Sequence, residues 1–294
     1  MIPDALHASL SDALTAAGDS TPVRSIDRVG GGDINEAARV VTGRREYFVK
    51  WNLRSLPRLF EVEARGLRLL QSARAVRVPE VVAVIEQPPS LLLEWIDARG
   101  SKAAAGTTLG RQLAQQHRLL GATYGLDHDN YIGANPQINR PAASWIDFFR
   151  DHRLGFQIDL ARSKGRLNPK RALLLDRLSS RLDEWIDEAR CAPSLLHGDL
   201  WGGNFITGPD GEPVLIDPAV YYGDREAEIA FTELFGGFGQ PFYAAYNEAW
   251  PLAPGYAERR ELYNLYHLLN HLNLFGEGYG GSVDAILRSY VGKT

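Results

Sequence analysis

The chain's 294 residues suffice for two lobes with cores of their own, and 45% hydrophobic against 23% charged residues is a globular balance rather than a disordered one. A net charge of −4 without any Lys/Arg block argues against a nucleic-acid partner, and a single cysteine, Cys191, rules out an internal disulfide. No stretch reaches the ~18 uninterrupted apolar residues of a membrane span, and the acid-bearing start MIPDALHASLSDAL does not read as a secretory leader, so a soluble, cytoplasmic protein with no membrane partner is expected.

In chain order, residues 3–17 have helical spacing, with Leu6, Leu10 and Leu14 four apart. VRSIDRV (23–29), EAARVVT (36–42) and EYFVKW (46–51) read as strands, separated by GGGDIN (30–35) and a polar turn at 43–45. A helix is predicted over 57–73 with Pro57 near its start, then two strands within 78–96 around Pro88 and Pro89. The small and polar segment DARGSKAAAG (97–106) marks a boundary, giving an N-terminal lobe 1–96, a linker 97–106 and a C-terminal lobe 107–294. Helical patterns dominate beyond it: 108–122, 145–163, 170–190 and the last third from 224. The exception is NFIT (204–207), the turn GPDGE and PVLID (213–217), which reads as a hairpin. The fold class is α+β: a small β-rich lobe followed by a larger, mostly helical one, as in kinase-like phosphotransferases.

Four separate stretches carry the groups that phosphoryl transfer needs. The glycines Gly30, Gly31 and Gly32 let backbone amides approach phosphate oxygens, although a hairpin turn would use them equally well. On EYFVKW, Lys50 shares a face with Phe48, opposite Tyr47, Val49 and Trp51. On the following helix Phe60, Ala64 and Leu67 make the apolar stripe, and Glu63 falls on it, whereas Glu61 sits four before Arg65 as an exposed pair would. A carboxylate on a packed face needs a partner, and Lys50 is the natural one; a rim ion pair without a catalytic role is the other reading. In LLHGDLWGGN (195–204), Asp199 could accept or orient an acceptor hydroxyl's proton, and Asn204, five residues on, could ligate Mg²⁺ through its amide oxygen. His197 reads as a brace for this loop. Asp217, closing the apolar run VLID, suits Mg²⁺, which takes a few hard oxygens plus phosphates; a turn acid is the alternative.

HGDLWGGN (197–204) and IDPAVYYGDREAEIAFTELFGGF (216–238) resemble the fructosamine kinases, or ketosamine-3-kinases, small-molecule relatives of aminoglycoside and choline kinases. GGGDIN, EARGLRLL (63–70), DNYIGANPQIN (129–139), WIDFFRDHRL (145–154) and LYHLLNHLNLFG (265–276) extend the resemblance over most of the chain. It implies ATP-dependent phosphorylation of the sugar 3-hydroxyl of a ketosamine, free or on a glycated protein, with ATP and Mg²⁺ as cofactors. A 3-phosphate beside the C2 carbonyl can leave by β-elimination, so the amine is freed. By the same resemblance Lys50 holds the α- and β-phosphates and pairs with Glu63. Asp199 is the base, and Asn204 and Asp217 hold Mg²⁺. Glu94, Trp95 and Ile96 form the hinge, meeting adenine through backbone groups, and Trp201 stacks on the acceptor sugar. Asp224, Arg225 and Glu228 brace the catalytic loop, while His267 and His271 could line the acceptor pocket or simply pack. Some members carry a cysteine in the glycine loop; here Asp33 stands there, which excludes a disulfide-linked dimer through that loop, and a monomer is expected.

A protein kinase is disfavoured, because little chain separates Asp217 from the helical REAEIAFTELF and no activation segment fits between. An aminoglycoside- or choline-type kinase would share the catalytic elements, and only the WGGN and YYGDREAE signatures favour ketosamines. A nucleotide-binding pseudokinase would have lost one of Lys50, Asp199, Asn204 or Asp217, and all are present. GEGYGG (276–281) follows a helical run and lacks the strand of a dinucleotide fingerprint, and the terminal GKT lacks its glycine, since position 287 is Leu.

Overall fold

Leu6, Leu10 and Leu14 form one stripe on α1 (Asp4–Ala16), and all three are buried against a sheet in the computed structural model, which describes residues 3–30, 35–53 and 56–292. The sheet is built by β1 (Ser25–Val29), β2 (Glu36–Val41) and β3 (Glu46–Trp51); α2 (Leu59–Ala73) intervenes before β4 (Val81–Ile85) and β5 (Ser90–Glu94). Its order is β1-β2-β3-β5-β4, antiparallel throughout. Alternation sorts its two faces. Tyr47, Val49, Trp51 and Leu92 join α1 in one core, while Phe48, Leu91 and Leu93 pack with Phe60, Ala64 and Leu67 of α2 in another.

This second core continues into the other lobe. Leu67, Leu70, Leu91 and Leu93 share it with Leu195, Leu200, Phe205, Leu215 and Val220. The carbonyl of Arg77 also accepts the Leu215 N–H at 2.9 Å, a backbone bond between the lobes. The rest of the chain is mostly helical. After α3 (Lys102–His117) come a short hairpin, β6 (Asn130–Ile132) and β7 (Asn135–Gln137), and α4 (Trp145–Phe148), which runs through a π-helical stretch, Phe149–Gly155, into α5 (Phe156–Ser163). Then follow α6 (Pro169–Ser179), β8 (Ser194–Leu196), the hairpin β9 (Phe205–Thr207) and β10 (Pro213–Leu215), and β11 (Tyr221–Gly223), which pairs with β8. The chain closes with α7 (Arg225–Leu234), α8 (Gln240–Ala249), α9 (Tyr256–Phe275) and α10 (Gly280–Val291). Around α9 gathers a third core: Leu265, Leu269 and Leu272 with Trp145, Phe148, Leu175, Leu178 and Leu287. No helix among the described residues is long and apolar enough to cross a membrane.

Three sequence expectations need correction. The helix expected over 108–122 begins at Lys102 and ends at His117, because the alanines of KAAAG favour helix once the chain has turned at Gly100 and Ser101. The helix expected over 170–190 stops at Ser179 and continues as two 3₁₀ turns, Leu182–Glu184 and Glu188–Arg190, where Asp187 accepts the Ala189 N–H. The pairs β6–β7 and β8–β11 were not expected, since three residues are too few to show an alternation.

The shared core sets a stability test. Leu67 is buried in it, and Leu67→Ala should cost about 2–5 kcal/mol in urea unfolding. Leu173→Ala, at a site half exposed, should change stability by less than about 0.5 kcal/mol. Similar losses in the two variants would contradict this packing.

Candidate active site

Lys50 leaves β3 on the face that packs against α2, where only Glu63 offers a charge of opposite sign from that helix. The two form an ion pair, and the Lys50 Nζ also meets Asp217 Oδ1 at 2.6 Å. The side chains of Lys50 and Glu63 are 5% and 10% exposed, so this is no rim pair; Asp217, at 51%, faces solvent. Burial works to lower the Lys50 pKa, but Asp217 and Glu63 outweigh it and the ammonium is held above its ordinary value. One ammonium shared by two carboxylates leaves one of them under-compensated. Burial pushes Glu63 up to about 7 against the pull of Lys50, whereas desolvation of the more open Asp217 is outweighed by the charge and hydrogen bond of Lys50, which hold it below the usual carboxylate range. The expected surface pair Glu61–Arg65 does not form: Glu61 pairs with Arg58 and Arg65 with Asp127, each reached from a neighbouring turn.

The stretch after β8 is shaped by its backbone. Gly198 has φ +83°, and a Cβ there would stand 1.9 Å from the Ala219 carbonyl oxygen, so no other residue fits. The His197 ring donates from Nε2 to the Ile216 carbonyl at 2.9 Å and accepts the Asp199 N–H at Nδ1. That uses both nitrogens of a neutral imidazole, and burial lowers its pKa, so His197 braces the loop as expected. Glu228 on α7 holds the same loop from behind. Its Oε1 accepts the Gly198 N–H at 2.6 Å, and its Oε2 accepts the His197 N–H at 3.2 Å and the His117 Nε2–H at 2.8 Å. His117 in turn meets the Tyr246 hydroxyl at 2.8 Å.

Asn204 ties the acids together. Its Nδ2 donates to the Asp199 carbonyl at 2.8 Å and to Asp199 Oδ2 at 3.1 Å, and lies 3.5 Å from the Asp217 carbonyl. Burial, then the charge of Asp217, pushes Asp199 well above the usual carboxylate range. Asp217 follows β10 with φ +55°, a left-handed conformation that Asp tolerates better than most residues. Lys50, Glu63, Asp217, Asn204 and Asp199 are thus one connected cluster. Three carboxyl groups around one ammonium cannot all ionise without cost, which is why Glu63 and Asp199 are pushed up; a cation beside them would relieve that cost, and hard oxygens from Asp217 and the Asn204 amide suit Mg²⁺. Among the described residues no three His, Cys, Asp or Glu side chains are grouped as a metal site, so such an ion would need further oxygens from phosphate or water.

Other expected site residues lie around this cluster. Trp201 is 40% exposed, its ring covering the open side of Gly203, where a Cβ would be 2.3 Å from ring atoms. The Glu94 carboxylate is taken by Arg77, at 2.5 Å, and its N–H donates to Glu80; Ile96 is buried just past the end of the β3–β5 ladder. Gly30 is exposed, while Gly31, Gly32 and Asp33 lie outside the described residues. Asp224 accepts the Glu226 N–H at the start of α7, and Arg225 reaches the Trp250 and Pro251 carbonyls. His267 is buried and stacked on Phe231, and His271 donates to its carbonyl, so both pack. Lys102, absent from the sequence reading, donates to the Gly202 carbonyl at 2.6 Å. His117 was missed too; neither carries a motif, and only the fold brings them to the loop.

A family model described as fructosamine kinase matches residues 6–293. The chain is 40% identical over 285 residues to the chloroplastic protein-ribulosamine 3-kinase of Oryza sativa subsp. indica, covering 93% of this chain and 81% of that one. A candidate fructosamine-3-kinase from Thermobifida fusca superposes with a TM-score of 0.87 at 30% identity, over 98% of this chain and 99% of that chain. The choline kinase LicA from Streptococcus pneumoniae gives 0.66 at 15% identity, over 97% and 99%, which shows the shared kinase-like fold alone.

The brace behind the loop is testable. Glu228→Leu leaves two buried N–H groups and the His117 imidazole without an acceptor, at about 1–3 kcal/mol each in denaturant unfolding. Glu228→Gln keeps one carbonyl oxygen and should lose clearly less. Equal losses would contradict the brace.

Proposed function

The chain belongs to the fructosamine kinase family, and from that premise we propose that it transfers the γ-phosphoryl group of ATP to the sugar 3-hydroxyl of ketosamines, fructosamine or ribulosamine adducts of amines or proteins. The observation that carries the reading is the connected cluster in which Lys50 joins Glu63 to Asp217 while Asn204 joins Asp217 to Asp199. A nucleotide-binding lobe of residues 1–96, a linker over 97–106 and a catalytic and acceptor-binding lobe of 107–294 would place that cluster between them.

In this reading Lys50, kept ionised by Asp217 and Glu63, neutralises the α- and β-phosphates, and the glycine stretch Gly30, Gly31 and Gly32 supplies backbone amides to phosphate oxygens. Adenine lies against the backbone of Glu94 to Ile96. Asp199 receives the acceptor's 3-hydroxyl and takes its proton as the oxygen bonds to phosphorus; a carboxylate whose pKa is raised is the better base. Asn204 and Asp217 would hold magnesium, whose charge, when bound, offsets that of the phosphates. Trp201 offers its ring to the sugar. Transfer depends on positioning and charge rather than covalent chemistry. The 3-phosphate, on the carbon next to the C2 carbonyl, then leaves as inorganic phosphate by β-elimination with loss of a C1 proton, and water hydrolyses the resulting imine to free the amine from a dicarbonyl sugar fragment. We infer from this chemistry a deglycating, protein-repair kinase, and propose for it a cytoplasmic, monomeric state without nucleic-acid or membrane partners.

The test is transfer from Mg·ATP to fructosyl-lysine, ribulosyl-lysine, kanamycin, choline or no acceptor, read by phosphorus NMR. A ketosamine 3-phosphate that decays to free lysine is expected, and Asp199→Asn should bind ATP yet lose about 10²–10⁴ in kcat. Transfer to kanamycin or choline alone would overturn the substrate; ATP binding with no transfer would make the protein a pseudokinase.

A further inference from the structure

Ala219 is where the two acid-bearing segments of the active site meet. Its N–H donates to the His197 carbonyl at 2.9 Å, and its own carbonyl fills the space beside Gly198. Asp217 lies two residues before Ala219, and Asp199 two residues after His197. Whatever holds Ala219 therefore sets how the two carboxylates stand to each other.

The β6–β7 hairpin holds it, although no step of the reaction uses that hairpin. Gln137 is 1% exposed, and its amide has a partner for every hydrogen-bonding atom. Nε2 donates to the Ala219 carbonyl at 2.9 Å and to Asn130 Oδ1 at 2.8 Å, while Oε1 accepts the Tyr266 hydroxyl at 2.8 Å. Asn130 Nδ2 donates to the next carbonyl, Val220, at 2.9 Å. Main-chain carbonyls only accept, so both amides must turn their NH₂ groups toward 219–220. A second layer fixes the first. Asn139 Nδ2 donates to Asn130 Oδ1 at 2.9 Å, and Arg153 Nη2 donates to Asn139 Oδ1 at 2.8 Å, its guanidinium 3.9 Å from the Tyr221 ring centroid. Buried amides whose donors are all paired in one arrangement resist any other.

We propose that Gln137 is a positioning residue for phosphoryl transfer, clamping the Ala219 carbonyl so that Asp199 and Asp217 keep their mutual placement. The proposal rests on the kinase reading above. It accounts for the stretch DNYIGANPQIN, whose polar residues otherwise have no task in the site: Asn130 and Gln137 clamp 219–220, and Asn139 backs them. The energetic logic is that a displacement of about 1 Å at the reacting groups can cost on the order of 10²-fold in rate with little effect on ground-state binding.

The experiment compares Gln137→Leu with Asn135→Leu. Asn135 is buried in the same hairpin, but its Nδ2 donates to Asn270 Oδ1 at 2.9 Å instead of to the carbonyls of 219–220. Both variants are measured by urea unfolding, ADP calorimetry, kcat and KM for ATP with the ketosamine, and ¹⁵N-detected hydrogen exchange at the Ala219 amide. The expected result is comparable destabilisation and unchanged ADP affinity in both, with a kcat loss of about 10- to 100-fold and lost Ala219 protection in Gln137→Leu alone. Equal kcat losses in both variants, or wild-type kcat in Gln137→Leu, would overturn the proposal. A wild-type protein that phosphorylates no acceptor would instead remove the kinase reading, and the exchange arm would still report whether Gln137 holds Ala219.

Discussion

An ammonium can stay charged out of water only where carboxylates compensate it, because an unpaired buried ion costs several kcal/mol. Lys50 meets that condition with Glu63 on one side and Asp217 on the other. The pairing constrains much of the molecule. Glu63 reaches Lys50 only if α2 lies with Phe60, Ala64 and Leu67 on the sheet, and Asp217 reaches it only if the segment after β10 approaches from the other lobe. The apolar core that joins Leu67 and Leu91 to Leu200 and Leu215 supplies that approach. The charge cluster specifies the arrangement, and the hydrophobic contact behind it supplies the stabilisation.

The stretch from His197 to Asn204 follows a different logic. Its conformation is imposed from the backbone outward. Gly198 admits the Ala219 carbonyl, Glu228 gathers the N–H groups of His197 and Gly198, and His197 spends both ring nitrogens on main-chain partners. The imidazole beside Asp199 is therefore a strut, which leaves Asp199 as the acid that the proposed function uses. Behind this stand two buried polar supports from distant parts of the chain: His117 with Tyr246 on one side, and the β6–β7 amides on the other. Both are built from hydrogen bonds between protein groups, which hold the loop in one arrangement.

Local periodicity made part of this legible in the sequence. Alternation on EYFVKW set Lys50 on the Phe48 face, and the stripe Phe60–Ala64–Leu67 carried Glu63 toward it; the structure joins the two. The five-residue spacing from Asp199 to Asn204 was likewise readable, and the pair are in hydrogen-bond contact. What could not be read is what depends on distant closure. The Lys50–Asp217 pair spans 167 positions, and the grip of Glu228 on residues 197 and 198 spans about thirty. Glu61 and Arg65 had correct helical spacing and still chose other partners, because Arg58 and Asp127 were closer in space. Strands of three residues carry no period; the turn GPDGE betrayed β9 and β10, but no comparable turn signal was read beside β6, β7, β8 and β11, which were missed.

The claim that Lys50 and Asp217 act as one unit is tested most directly by a double-mutant cycle. Lys50→Met, Asp217→Asn and the double variant would be compared with the wild type by kcat/KM for phosphoryl transfer to a ketosamine. Groups that act together give grossly non-additive losses, so the double variant should be scarcely worse than the poorer single one. Losses that simply add would mean that the ammonium and the carboxylate work independently, and would contradict the account.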